Sequence, residues 1–437
     1  MIDASGDHED SAAASRFSLR GSTGRVLRIV IPTLLWTIVA IAAPTFINQI
    51  RRHDRALQED FAVYYFSALE MRRGINPYTT NLTDTARASG FDIHAIALST
   101  DPPTFVVSFQ ALTYLPLRTA YLMWQALNFA CLVTAVFLLI GAGSGLTAPT
   151  AFTLGALFTL YPPIASHFWF GQSKFPLLLL FVLMMRSMNR ARDSAAGFAL
   201  AFATLIHVFP IVLTGYLVLT RRWRTFWWTI AALLIGALVT ILFAGWRNCF
   251  AFVLAIPSIS SASWNEIQRD IAAQVFVTRQ LRMVLPNANI LFGIVRLILI
   301  VAIDALIIVA TTLATLALPA RTDPGWRIFS LWVATAVILL PVAWDYDLVL
   351  MLIPFSQLAV CATRGEASRR AIATAILSYS LLIWWEYVSL SANELGFLSM
   401  LTAYLSAYWL ATDQPAAAPI PLLSLPGAIW QRLAATS

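Results

Sequence analysis

The chain has 437 residues, 59% of them hydrophobic and only 12% charged, with a mean hydropathy of +0.73 and a formal net charge of +7. A soluble protein carries about 25% charged residues to keep its surface hydrated, and a soluble bundle of buried helices would show amphipathic stripes. The composition excludes both in favour of an all-α polytopic integral membrane protein. The positive charge comes almost entirely from arginine, Lys174 being the one lysine, and it reads as a marker of membrane topology rather than of nucleic-acid binding.

The first 25 residues are polar and contain Arg16, Arg20 and Arg25, and no A-x-A-like site follows promptly, so a disordered cytoplasmic tail over 1–28 is expected rather than a signal peptide. Apolar runs able to cross roughly 30 Å of hydrocarbon follow at 29–47, 119–141, 147–166, 174–189, 226–245, 290–318, 327–343, 347–362, 371–390 and 396–411. The stretch 195–220 is apolar too, yet Arg186, Arg190 and Arg192 precede it and Arg221, Arg222 and Arg224 follow it. The positive-inside rule puts both flanks in the cytoplasm, and Pro210 removes a helical hydrogen bond near the middle. Two half-helices, about 195–206 and 208–220, entering and returning on one side, reconcile these facts; a single kinked span is the alternative. About 11–12 membrane helices are therefore expected, in a single domain over 29–411, with a cytoplasmic C-terminal tail at 412–437. Cys131, Cys249 and Cys361 lie in or at the ends of apolar runs and read as core thiols.

Two segments on the outer side are more than connectors. In 48–118, Phe61, Tyr64, Tyr65, Ala68, Leu69 and Met71 recur near helical spacing behind Asp60, which predicts an amphipathic interfacial helix. The apolar stretch 104–115 behind Pro102-Pro103 is expected to graze the membrane. The other segment, 246–289, is polar and aromatic, with Trp264, Arg269, Arg279 and Arg282.

A carboxylate opening a helix beside the bilayer, as Asp60 does, can act as general base on a hydroxyl or simply cap the helix. The outer cations Lys174, Arg269, Arg279 and Arg282, with His167, are candidates for a phosphate; each arginine can equally snorkel at the interface. Trp344-Asp345-Tyr346-Asp347 places two carboxylates at the outer end of a span, either to bind sugar beneath a stacking Trp344 or as a short solvated loop. Asp304 falls mid-span, with Arg296 eight residues earlier, too far along a helix to pair locally.

Asp60-Phe61-Ala62-Val63-Tyr64-Tyr65 followed by Gly74-Ile75-Asn76-Pro77-Tyr78 resembles the opening of GT-C glycosyltransferases of the family 87 type. The resemblance continues in order through Asp101-Pro102-Pro103-Thr104-Phe105, Leu115-Pro116, Trp124, Asn128, Gly171-Gln172, the Pro210 region and Pro341 to Asp347. It implies a transferase that takes a hexose, mannose in the first instance, from a polyprenyl-phosphate donor to a lipid or glycan acceptor, in a bacterial inner membrane with its active site facing the periplasm. It further implies Asp60 as the base in an inverting reaction; for such a reaction Lys174, Arg279, Arg282 and His167 are the candidates to meet the donor phosphate, and Tyr64, Asn76, Tyr78, Gln172, Trp344, Asp345 and Asp347 the candidates for sugar or acceptor contacts. Where relatives have Gly-Gln-Asn this chain has Gly171-Gln172-Ser173 and then Lys174. No P-loop or soluble nucleotide-sugar site is visible, and no cofactor or resident metal is expected, a divalent ion at Asp345-x-Asp347 staying open. Two rivals share the topology: a secondary transporter or flippase, which the broken helices and Asp304 would suit, and a polymerase or ligase of surface polysaccharide.

Overall fold

The computed structural model describes residues 60–91, 99–140, 161–261, 270–285, 290–317, 326–363, 366–388 and 393–413. The N-terminal tail, the span at 29–47, most of the span at 147–166, Trp264, Arg269 and nearly all of the C-terminal tail lie outside these residues. Of the described residues 85% are helical and none form strands. Five helices are long and apolar enough to cross a membrane: Leu117–Leu139, Trp223–Ala244, Ile290–Ala317, Asp345–Ala362 and Glu394–Thr412, with shorter apolar helices between them. The chain is a membrane protein.

Chain order gives the labels. The first outer loop forms α1 (Asp60–Arg72), α2 (Leu82–Ala88) and α3 (Pro103–Phe109), the last running into a 3-10 turn at Gln110–Tyr114. Then come α4 (Leu117–Ile140), α5 (Pro162–Phe170), α6 (Lys174–Asn189), α7 (Asp193–Ile206), a 3-10 turn at Phe209–Val212, α8 (Leu213–Leu219) and α9 (Trp223–Ala244). The rest are α10 (Trp246–Ser261), α11 (Ala273–Val284), α12 (Ile290–Ala317), α13 (Trp326–Ile338), a 3-10 segment Asp345–Met351 leading into α14 (Leu352–Thr363), α15 (Arg369–Val388) and α16 (Asn393–Thr412).

Burial divides these helices into two kinds. Residues such as Phe175, Phe181, Phe329, Val333, Leu350 and Met400, from α6, α13, the 3-10 segment and α16, make one buried core. By contrast, α12 leaves Leu297, Ile298, Val301 and Leu306 exposed, as a helix does when its solvent is hydrocarbon.

The break at 195–220 is a re-entrant pair. Helix α7 ends at His207, whose backbone is extended (φ −140°, ψ 140°). Thr225 Oγ1 donates to Asp193 Oδ1 at 2.7 Å, Gly197 packs so closely on Trp228 that a Cβ would clash, and Gly236 does the same with Leu205. Numbers rise together along both helices, so α7 and α9 run parallel from a common level. Residues 207–222 must therefore bring the chain back, and Arg190, Arg192, Arg221, Arg222 and Arg224 share one end of the bundle. The tip at His207 stands roughly 20 Å from that end, given about 1.5 Å per residue over α7.

The first outer loop differs from expectation in its packing. Helix α1 forms where the spacing placed it, but every residue from Phe61 to Met71 is buried rather than one face alone. Phe61 meets Phe109 and Tyr121 edge-on, and Tyr64 meets Phe105, Phe109 and Trp124 likewise. Phe61 and Tyr64 find ring partners in α3 and α4 and Phe66 finds one in Phe91, so the loop is a small aromatic core of its own. In 246–289, α10 is an apolar helix that the aromatic, polar appearance of the segment concealed.

Candidate active site

A cavity of about 460 Å³ opens where α1, the α6 N-terminus, the re-entrant tip, α10 and the α13 C-terminus converge. Its polar wall comprises Asp60, Tyr64, Asp101, Gln172, Lys174, His207, Trp344 and Asp347; Phe209, Phe252, Ile256 and Leu340 are among the residues of its apolar wall.

Asp60 stands in the first turn of α1, where the helix dipole favours a carboxylate. Gln172 Nε2 donates a hydrogen bond to its Oδ2, and Gln172 Oε1 accepts one from Tyr64 at 2.7 Å, so the amide is aligned from both ends. The amide itself is aimed by Gly171. This glycine ends α5 in the left-handed conformation (φ 69°), and a Cβ there would stand 2.9 Å from Phe61 Cβ. Its carbonyl accepts from Trp124 Nε1 at 2.7 Å. Glycine is needed both for the turn and for the approach to α1.

Lys174 begins α6 and is buried. Its Nζ lies 2.9 Å from Asp347 Oδ1, with both side chains under 10% exposed. It also lies 3.3 Å from His207 Nε2, which Ser173 Oγ approaches at 2.7 Å. An ammonium can only donate, so His207 accepts at Nε2 and carries its proton on Nδ1. Among the described residues lining the cavity, Lys174 is the one Lys or Arg. Asp347 is fixed in turn, its Oδ2 accepting from the Trp344 backbone N–H at 2.8 Å. Trp344 and Tyr346 stack with ring planes 5° apart, and Tyr346 faces the Lys174 ammonium.

Of the residues singled out from sequence, Asp60, Tyr64, Gln172, Lys174, Trp344 and Asp347 line the cavity and six others do not. His167 is fully buried, and its Nε2 accepts from the backbone N–H groups of Lys174 and Phe175 at 2.9 and 3.2 Å. It caps α6, so it positions Lys174 instead of meeting a phosphate. Arg279 and Arg282 sit on α11 and do not line the cavity. Asn76 caps its own turn, accepting from the Tyr78 N–H at 2.9 Å. Tyr78 donates to the Asp101 carbonyl at 2.9 Å and thereby holds the loop before Pro102. Asp345 is buried outside the lining. With Asp345 and Asp347 each 2% exposed, the alternative of a short solvated loop is excluded.

Sequence reasoning missed Asp101, His207 and Asp270. Asp101 is buried and lines the cavity, and burial holds its carboxyl up at about 7, Lys174 opposing the rise and Asp60 adding to it. Asp270 accepts from the N–H groups of Ala272 and Ala343 at 2.9 and 3.2 Å, tying the start of α11 to the Trp344 segment; burial raises it to about 6. His207 could have been found from its signal, a polar residue at the point where an apolar stretch must turn. Among the described residues, no group of three or more His, Cys, Asp or Glu is arranged to hold a metal ion.

A family model, glycosyltransferase family 87, matches residues 100–341, more than half of the chain. The chain belongs to glycosyltransferase family 87. It is therefore a membrane glycosyltransferase, acting on a sugar donor and an acceptor, and the transporter reading falls. No curated protein matches it as a relative. The match runs from Thr100 to Pro341, so it takes in Asp101, Gln172, Lys174 and His207 of this glycosyltransferase's cavity, while Asp60 and Asp347 lie outside the matched residues.

Proposed function

We propose that this glycosyltransferase moves a hexose, mannose in the first instance, from a polyprenyl-phosphate donor to a hydroxyl of a lipid or glycan acceptor, with Asp60 as general base. The observation that carries this reading is one cavity wall on which a carboxylate at a helix N-terminus and a lone cation stand beside apolar surface. In the reaction the acceptor hydroxyl gives its proton to Asp60 while its oxygen forms the bond to C1 of the sugar. The bond from C1 to the phosphate oxygen breaks, and its electron pair leaves with the polyprenyl phosphate. One displacement inverts the anomeric centre. Gln172 holds Asp60 in place, and Lys174 meets the charge that develops on the leaving phosphate. Its pairing with Asp347 keeps that ammonium oriented without a donor present.

The arginine distribution supports an outward-facing site in a bacterial inner membrane. Lys174 opens α6 at the cavity, whereas Arg186, Arg190 and Arg192 cluster at its other end. Arg222 and Arg224 begin α9, Arg327 begins α13 and Arg369 begins α15. A collar of arginine at the end opposite the cavity supports a cytoplasmic location for that end and a periplasmic one for the site.

The test is stereochemical. The purified protein is given a polyprenyl-phosphate β-mannose and a cell-envelope lipid extract, and the new linkage is analysed by NMR. An α-linked product is expected. A β-linked product would overturn the single displacement, and no transfer from a lipid-phosphate sugar would overturn the donor.

A further inference from the structure

Almost every polar group on the cavity wall is already engaged within the protein. Gln172 is taken by Tyr64 and Asp60, Lys174 by Asp347 and His207, and Asp347 by Lys174 and the Trp344 N–H. Asp101 differs. Its side chain lines the cavity at 5% exposure, and its Oδ2 is buried with no hydrogen-bond partner. Its backbone, in contrast, is pinned on both sides: the carbonyl accepts from Tyr78 at 2.9 Å, and Pro102 and Pro103 stiffen the start of α3. A buried carboxylate without donors is unfavourable by itself. A rigid loop that holds one against a cavity gains from a ligand that brings the donors.

The ligand chemistry follows from the wall. A cation would be repelled by Lys174, and a second anion by Asp101 itself. A neutral group with several hydroxyls can donate to the carboxyl while an apolar ring face lies against the aromatic side chains opposite. We propose that Asp101 is a specificity-determining residue of this transferase, accepting a hydrogen bond from one hydroxyl of the sugar to be transferred. The inference rests on the lipid-phosphate hexose reading above and adds to it the residue that reads the sugar.

Two readouts keep the inference separable from that reading. Binding is measured by titrating the full-length protein in nanodiscs with polyprenyl-phosphate mannose and its four monodeoxy analogues, following tryptophan fluorescence; transfer is measured separately. Asp101→Asn and Asp101→Ala are compared with the wild type and with Asp60→Asn. A buried hydrogen bond to a charged group corresponds to a loss of about 10–100-fold in affinity. The expected result is that loss in both Asp101 variants, with one deoxy analogue binding equally to wild type and variants because the hydroxyl that Asp101 reads is gone. Wild-type affinity in the Asp101 variants, or a loss that no deoxy analogue cancels, overturns the inference. If Asp60→Asn transfers as well as the wild type while the Asp101 pattern holds, the base assignment fails and the inference stands. If the wild type binds none of these donors, both fail.

Discussion

At the residue scale, the cavity's side chains are held by one another. Gln172 is gripped by Asp60 and Tyr64, so Gln172→Leu should leave the fold intact and lower kcat/KM by about 10–100-fold through loss of one bond to a charged group; initial rates with saturating acceptor check this. Lys174 and Asp347 form a buried pair, and removing one partner strands the other charge. Lys174→Met should cost about 3–5 kcal/mol, read as a lowered unfolding temperature in detergent, and the double variant Lys174→Met with Asp347→Leu should recover most of it. A double variant no better than the single one would show that the ion pair is not what holds these segments together. Asp101 predicts a pH dependence. Its carboxyl sits at about 7 in the free protein, faced by Asp60 and Tyr64 of α1, Lys174 of α6 and the Tyr78 that binds its carbonyl. A hydroxyl donor favours the ionised form, so donor affinity should rise as pH climbs towards 7 and level off above it. In Asp101→Asn that rise should vanish; its persistence would assign the titration to another group.

At the element scale the re-entrant pair decides how deep the cavity reaches. Parallel α7 and α9 require residues 207–222 to return to the level from which α7 starts, which sets His207 at the tip. Cysteines placed singly at Ser194 and Arg224, in a background with Cys249→Ser, should react with an impermeant maleimide from the same side of a sealed vesicle; labelling from opposite sides would make 195–220 a single span. Much of this was legible in the sequence, because arginines on both flanks of an apolar stretch and a proline within it are local features that obey strong rules. The burial of α1 was not. Spacing shows that one face of a helix is apolar, but whether the rest is covered depends on Phe105, Phe109 and Trp124, which lie 40 or more residues further along the chain. His207 and Asp101 were passed over for a like reason: each has a local signal, His207 at the turn of an apolar stretch and Asp101 at the head of the Pro102-Pro103 string, but each meets Lys174 or Asp60 only through folding. Arg279 and Arg282 show the converse, since a positive charge in an outer segment is visible in sequence and whether it lines the cavity, which these two do not, is not.

For the whole molecule, composition identified the solvent and the ordered motifs identified the family, and the structure then gathered the chemistry at one end of the bundle. The opposite end carries the arginine collar, so one chain presents a charged face to anchor its topology and a separate cavity at the other boundary. Trp344 and Tyr346, the re-entrant tip and α10 wall that cavity with rings and aliphatic side chains, a setting suited to a substrate with one polar and one lipid portion. The central claim is that Asp60 takes the acceptor's proton during transfer from a lipid-phosphate sugar. General-base removal lowers rates by about 10²–10⁴-fold while leaving binding alone. The direct measurement is label transfer from radiolabelled polyprenyl-phosphate mannose to envelope lipid by wild type and by Asp60→Asn, each in nanodiscs and each first shown to bind the donor. Transfer by the wild type and a loss of at least about 100-fold in the variant at unchanged donor affinity are expected; transfer by Asp60→Asn at the wild-type rate would rule Asp60 out as the base.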